Sequence, residues 1–187
     1  MRVIAGSAGG IRLDVPKTAV RPTMDRVKAA IFSSLGEAVI GARVLDLFAG
    51  TGALGIEGLS RGAASVLFVE ENRAAVAAIE RNLQRTNFTG TARQQEVFAF
   101  LGSVQPREPF TIIFADPPYE KTKSGAAYTD LLLQNTRLPE LLATNGVFVL
   151  EKRPAEPVTD SALWDVTRAR KYGATEVLFL RPAKSVP

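Results

Sequence analysis

From residue 44 onward the chain alternates two textures. Short, nearly continuous apolar runs alternate with longer stretches in which apolar positions recur every three or four residues. The runs Val44–Phe48, Val66–Glu70, Phe110–Ala115 and Val147–Glu151 have the length and β-branched or aromatic content of buried strands. Between them, Ala53–Arg61, Asn72–Asn87 and Tyr128–Leu142 read as helices, with Ala75, Val76, Ile79 and Leu83 sharing one face of the second. A short extended piece at Ala92–Gln95 leads into a helical turn at Val97–Leu101, and Asp165–Arg170 with Thr175–Leu180 around Tyr172-Gly173 read as a hairpin. Ahead of this pattern, residues 1–22 read as a β-hairpin or irregular arm, with Val3-Ile4 and Ile11–Val15 extended around Gly6, Gly9 and Gly10, then Pro16 and Pro22. From Thr23, a fitting N-cap, Val27, Ala30, Ile31 and Leu35 repeat at helical spacing until Gly36. Strands separated by helices predict an α/β fold, a doubly wound and mostly parallel sheet whose C-terminal hairpin leaves one antiparallel strand. In such sheets ligands bind beyond the carboxyl ends of the strands.

Composition narrows the chemistry. The 187 residues suit one domain with a short appendage, divided here into a basic N-terminal segment, 1–40, and a catalytic domain, 41–187. No histidine and no cysteine are present. That removes imidazole bases, Ser-His-Asp triads, His- or Cys-ligated metals and disulfides, and it fits a cytoplasmic protein that uses no metal. No apolar run reaches the length of a membrane span, and Met1–Gly6 lacks the apolar stretch of a secretory signal. The net charge of +4 is unevenly placed. Residues 1–43 carry seven basic residues against three acids, and the remainder is balanced at sixteen of each sign. An excess confined to one end points to a polyanionic partner, a nucleic acid, although a solvated basic face has the same composition.

Two motifs fall at predicted strand ends. In Asp46–Gly55, Gly50, Gly52 and Gly55 form G-x-G-x-x-G, and Glu70 ends the next strand twenty residues after Gly50. This pattern lets backbone approach a ligand closely and places an acid for ribose hydroxyls, as both nicotinamide dinucleotides and S-adenosylmethionine require. Asp46 favours the latter, because a carboxylate at the loop mouth opposes a pyrophosphate and suits an ammonium and a sulfonium. Phe48 lies in the same loop. Glu96 is placed to accept from an adenine amino group, with Val97 and Phe98 lining the slot, although an acid at a helix start is also expected from the dipole alone. The second motif is Asp116-Pro117-Pro118-Tyr119, straight after Ile112–Ala115. Its prolines fix the backbone. The Asp116 side chain and the Pro117 carbonyl can then accept both N–H bonds of a nucleobase amine, and Tyr119 can stack on the base. Asp116 can also receive the departing proton.

Together these segments resemble the RsmD-type 16S ribosomal RNA guanine-N2 methyltransferases of bacteria. The resemblance runs through Arg2–Gly6, Arg21-Pro22-Thr23, Asp25-Arg26-Val27, Asp46–Glu57, Leu59–Ala63, Glu70, Asn82, Asp116–Tyr119 and Lys171-Tyr172-Gly173. It implies a Rossmann-like methyltransferase sheet, S-adenosylmethionine as donor, and the N2 amine of the guanine conventionally numbered 966 as target, in rRNA of an assembling 30S subunit. By resemblance Asp46, Phe48, Gly50 and Gly52 hold the methionyl part, Glu70 the ribose, Glu96 and Val97 the adenine, and Asp116, Pro117 and Tyr119 the guanine. The family usually has Asp or Asn followed by Ala where this chain has Glu96-Val97. Arg2, Arg21, Thr23, Arg26 and Lys28 fall in its RNA-contact region, where basic side chains meet phosphates. The residues themselves leave a DNA adenine-N6 methyltransferase, a NAD-dependent oxidoreductase and a non-catalytic RNA-binding factor open as alternatives.

Overall fold

The computed structural model describes residues 1–15, 23–105, 108–119, 127–154 and 162–184; Arg21, Pro16 and Pro22 lie outside them. Helix α1 (Thr23–Leu35) runs into a 3-10 turn at Gly36–Val39. There follow β1 (Arg43–Leu47), α2 (Ala53–Ser60), β2 (Ser65–Glu70), α3 (Arg73–Thr86), β3 (Thr91–Gln94), α4 (Val97–Ser103) and β4 (Phe110–Ala115). The chain continues with α5 (Tyr128–Leu133), α6 (Arg137–Glu140), β5 (Leu142–Lys152), β6 (Trp164–Tyr172) and β7 (Thr175–Pro182). Among the described residues the sheet has seven strands in the order β3-β2-β1-β4-β5-β7-β6. Strands β1 to β5 pair in parallel, and β7 is antiparallel to both of its neighbours, β5 and β6. The expected α/β sheet with one antiparallel strand is therefore present.

Alternation along each strand sends side chains to two apolar layers. Val44, Phe114, Val149 and Phe179 face one layer, which α1, α2 and α3 complete; Leu45, Ile113, Leu150 and Leu178 face the other, under α4, α5 and α6. The N-terminal arm joins the first layer through Val3, Ala8 and Leu13, so it shares a core with the sheet and has none of its own. Its extended pieces make one isolated bridge, Arg2 with Arg12, rather than a ladder.

One expected helix is divided. Tyr128–Leu142 contains α5, a break at residues 134–136, and the single turn α6, and Leu142 already begins β5. The Asn135 side chain accepts from the amides of Arg137 and Leu138, both at 3.0 Å, and so starts a new turn where the first helix would have continued. The periodicity of Leu132, Leu133, Leu138 and Leu141 reflects burial of two short helices, all four side chains being buried. No helix among the described residues is long and apolar enough to cross a membrane.

The sheet order reverses at the β1–β4 pair, with β2 and β3 built outward on one side and β5, β7 and β6 on the other. Leu47 and Ala115 are partners at the ends of these two strands. The glycine loop and the tetrad therefore leave the sheet side by side, at the switch point where a crevice opens.

Candidate active site

The glycine loop turns sharply out of β1. Phe48, Gly50 and Gly52 all have positive φ, at 55°, 54° and 78°. Only glycine adopts this readily, and Gly52 does so as the residue preceding α2. Gly55 is required for a different reason: a Cβ there would stand 2.3 Å from the Phe68 ring, so α2 packs on β2 only without one. Asp46, 2% exposed, accepts the Gly55 amide at 2.9 Å through Oδ2. Glu70 grips the loop from the next strand, with Oε2 accepting from Gly50 and Oε1 from Asn72, both at 2.8 Å. Asn72 in turn caps α3 by accepting from Ala74 and Ala75. The loop is thus held by side chains before any ligand arrives.

A cavity of about 310 Å³ lies beyond the strand ends, bordered by Phe48, Gly50, Glu70, Glu71, Glu96, Val97, Asp116, Pro118 and Tyr128. Four of these are carboxylates and none is a cation, a lining that favours a positively charged ligand over a pyrophosphate. Glu96 is the N-cap of α4, accepting from Phe98 at 3.0 Å and Ala99 at 2.7 Å. It therefore fulfils the capping role and borders the cavity as well. Phe48, Phe98 and Tyr128 make an aromatic wall, the last two stacked with centroids 6.2 Å apart and Phe48 edge-on to both.

A second cavity, of about 150 Å³, opens on the side of the arm. Met1, Val15, Ile31 and Leu54 give it apolar walls, and Asp46, Asp116 and Glu151 bring carboxylates to it. Asp116 borders both cavities. Burial raises the Asp46 pKa to about 8; the Gly55 amide opposes the shift, and the negative charges of Asp116 and Glu70 add to it.

In the tetrad Pro117 is buried, Pro118 exposed and Tyr119 half-buried. The Tyr119 hydroxyl lies 3.2 Å from Thr175 Oγ1 at the start of β7, and Thr175 donates to Glu151 at 3.3 Å. The Arg153 guanidinium sits over the Tyr119 ring, 4.8 Å from its centroid. The tyrosine is clamped between β5 and β7.

Of the residues expected at a site, Asp46, Phe48, Gly50, Glu70, Glu96, Val97 and Asp116 converge on the cavities, and Lys28 borders the second of them. Gly52 shapes the turn, and Pro117 is buried and borders neither cavity. The expected phosphate contacts divide. Arg26 is exposed, and Arg2 is exposed but 3.8 Å from Asp25. Thr23 opens α1. Lys28 does not fit the expectation of a surface phosphate ligand. It is 4% exposed, donates to the Arg2 carbonyl at 2.6 Å and pairs with Glu57 at 3.3 Å. Burial lowers its pKa even though Glu57 acts in the opposite direction.

The residues that dock the arm have no role that the sequence assigns. Glu57, fully buried on α2, accepts the amides of Ile4 at 2.7 Å and Ala5 at 3.1 Å and pairs with Lys28 and Arg61. Asn82 accepts from the Asp14 amide at 2.6 Å and donates to the carbonyls of Asp14 and Thr51, tying arm, α3 and glycine loop together. Each is a polar side chain on an otherwise apolar helix face, and that was the available signal. Glu151 and Thr175 lie at strand ends with no motif around them.

Comparison with known proteins agrees with this geometry. The model of the family described as Conserved hypothetical protein 95 matches residues 1–181. The chain is 37% identical to YlbH of Bacillus subtilis (strain 168) over 95% of its length and 96% of that protein. It is 30% identical to ribosomal RNA small subunit methyltransferase D of Haemophilus influenzae, over 92% of this chain and 89% of the other. The solved structure of yhhF from Escherichia coli superposes with a TM-score of 0.79 at 30% identity, covering 98% of each chain. The sheet order, the crevice at its switch point and these relatives together show that the chain belongs to the RsmD-type methyltransferase family and has the Rossmann-like fold of class I methyltransferases.

Proposed function

We propose that this protein transfers a methyl group from S-adenosylmethionine to the exocyclic N2 amine of a guanine in 16S rRNA, the guanine numbered 966 in the family, in an assembling 30S subunit in the cytoplasm. The observation that carries this reading is the position of Asp116, which borders both the carboxylate-lined cavity and the apolar one beneath the arm. The names of the relatives, rRNA methyltransferases among them, favour RNA over DNA as the acceptor.

The first cavity fits the donor. Phe48 and Gly50, which border it, hold the methionyl end on the turn made by Gly52, and Asp46, at the second cavity alongside, offers a buried carboxyl to the ammonium and sulfonium. Glu70 accepts from the ribose hydroxyls, and Glu96 with Val97 frames the adenine. Bound there, S-adenosylmethionine supplies an electrophilic methyl on a sulfonium. This chain's residues prepare the acceptor. A guanine N2 is a weak nucleophile because its lone pair is delocalised into the ring. With its two N–H groups donated to the Asp116 carboxylate and the Pro117 carbonyl, the lone pair points toward the donor cavity. As positive charge develops on the nitrogen, Asp116 stabilises it and takes the proton. Tyr119, fixed by Thr175 and Arg153, stacks on the extruded base. Met1, Val15 and Ile31 of the 1–40 segment border the acceptor cavity; that segment approaches the RNA, with Arg2, Arg21, Thr23 and Arg26 as its phosphate contacts, and residues 41–187 carry the chemistry.

The test is incubation with labelled donor and either small-subunit particles or duplex DNA. Label is expected in 16S rRNA on a guanine, and label only in DNA would overturn the RNA reading. Asp116→Ala is expected to lower transfer at least on the order of a hundredfold while donor binding persists. Unchanged turnover would remove Asp116 from the reaction.

A further inference from the structure

The charge count along the chain places all the basic excess in the N-terminal quarter, but folding redistributes it. Lys28 is paired with Glu57 in the core, Arg2 lies beside Asp25, and Arg43 is paired with Glu108. At the opposite end, Arg153, Arg168, Arg170 and Arg181 enter none of the ion pairs among the described residues. Arg168, Arg170 and Arg181 are exposed.

Their placement is ordered. In the β6–β7 ladder Arg168 stands opposite Phe179 and Arg170 opposite Val177. Phe179 and Val177 belong to the apolar layer on the α1 side, so both arginines project from that face of the sheet. Arg168 lies over the Phe179 ring, with 5.8 Å between the guanidinium carbon and the centroid. Two residues apart on a strand, the guanidinium stems start roughly 6.5 Å from each other. Continuing upward, Tyr172 pairs with Thr175, the residue that holds Tyr119, over whose ring Arg153 sits. Downward, the face opens into a groove of about 510 Å³ between the end of α1 and the hairpin, bordered by Arg168, Arg181, Thr167, Asn145, Thr111 and Ser34. No acid lines that groove among the described residues. Asp165 is opposite Arg181 in the ladder but forms no ion pair with it. Charges on an edge strand also discourage sheet-to-sheet association, but either face would serve for that. Here the arginines share the face that leads to the tetrad.

We propose that the α1-side face of the β6–β7 hairpin, with Arg168 and Arg170 at its centre and Arg153 at its upper end, is a second RNA-contact surface that carries the phosphate backbone leading away from the target base. The occupant is single-stranded or loop rRNA, and the surface complements the arm, which lies across the crevice on the same side of the sheet. Arginines fit this because their fork bonds phosphate oxygens bidentately, and the groove adds the Ser34 hydroxyl and the Asn145 amide for the sugars, the hydroxyls of Thr111 and Thr167 being engaged by the Arg43 and Phe179 backbone. The inference rests on the reading of rRNA as substrate.

The test compares wild-type protein with the double variants Arg168→Ala/Arg170→Ala and Arg168→Lys/Arg170→Lys, with naked 16S rRNA and small-subunit particles as probes. The quantity read is the slope of log Kd against log salt. For the alanine pair the slope is expected to fall by about 1.4, as for two single-strand phosphate contacts, with affinity reduced on the order of tenfold. The lysine pair should restore most of the slope, and S-adenosylmethionine should bind all forms alike. Should the alanine pair fail to fold because Arg168 leaves Phe179 uncovered, Arg170→Glu alone decides, since Arg170 covers no ring. An unaltered slope in a variant that still binds donor overturns the proposal and leaves rRNA methylation untouched. Weaker binding to particles with unchanged binding to naked rRNA overturns it too, in favour of a ribosomal protein as partner. A wild-type protein that labels no RNA overturns the substrate reading and this inference with it.

Discussion

Two buried carboxylates meet α2, Glu57 from within it and Asp46 from the end of β1, and the fold treats them oppositely. Glu57, inside the helix, is fully buried and surrounded by donors: two arm amides, Lys28 and Arg61. Asp46, below the first turn, is 2% exposed, accepts one amide, and feels two further carboxylates, Asp116 and Glu70. A buried charge that has all its partners is architecture. A buried acid surrounded by its own sign is destabilised until a cation arrives, and such arrangements concentrate where ligands bind. The difference separates a docking post for the N-terminal arm from the site proposed for a sulfonium and an ammonium, within one strand–loop–helix unit.

The comparison is broken most forcefully at Glu57. Glu57→Ala leaves Lys28 buried without its partner and the amides of Ile4 and Ala5 without acceptors. The expected loss is about 3–5 kcal/mol of stability, read from denaturant midpoints at constant m-value. A loss below about 1 kcal/mol, the range of exposed pairs, would show that the arm is held by its apolar contacts alone. Lys28→Met is milder, because Glu57 keeps Arg61 and both amides; about 1–3 kcal/mol is expected. That variant also tests the buried position of Lys28. With the side chain inside, the salt dependence of RNA binding should match wild type, and a flatter slope would return Lys28 to the interface.

The contrast also shows what could be seen in the sequence. The strands, the glycine loop, the tetrad and their meeting point follow from local signals, since burial imposes period and a sharp turn demands glycine at Gly50 and Gly52. The expected helix from Tyr128 was misjudged because Asn135 restarts the turn through its side chain, and leucine spacing does not record that competition. Lys28 was misplaced because charge is counted along the chain, whereas its partner lies 29 residues away on another helix. Glu57 and Asn82 are part of the family resemblance, but the sequence assigns them no role beyond being polar residues on apolar faces. Their partners are mainly backbone groups of the arm and the glycine loop, which carry no side-chain signature. That Arg168 and Arg170 enter no ion pair among the described residues is likewise a property of the sheet edge, invisible in a composition balanced at sixteen of each sign over residues 44–187.

The smallest change per step, and the one that tests the other half of the comparison, concerns Asp46. An unfolded aspartate titrates near 3.9, and burial holds the folded one at about 8. Between those values the folded protein retains a proton that the unfolded chain has released. Stability is therefore greatest below the lower value and falls as pH rises toward 8, by at most about 1.4 kcal/mol per pH unit, with no further contribution above. Asp46→Asn keeps an acceptor for the Gly55 amide and removes the titration. Relative to wild type, its stability should improve progressively from pH 4 to 8 and then level off, as read from thermal unfolding at matched ionic strength. Donor binding should move the other way. A cation favours the ionised carboxyl, so wild-type affinity for S-adenosylmethionine should increase as pH climbs to about 8, while the asparagine variant binds more weakly and without that dependence. If the two proteins keep a constant stability difference across the window, Asp46 is already ionised in the empty crevice. Its contrast with Glu57 would then be one of partners alone and not of charge.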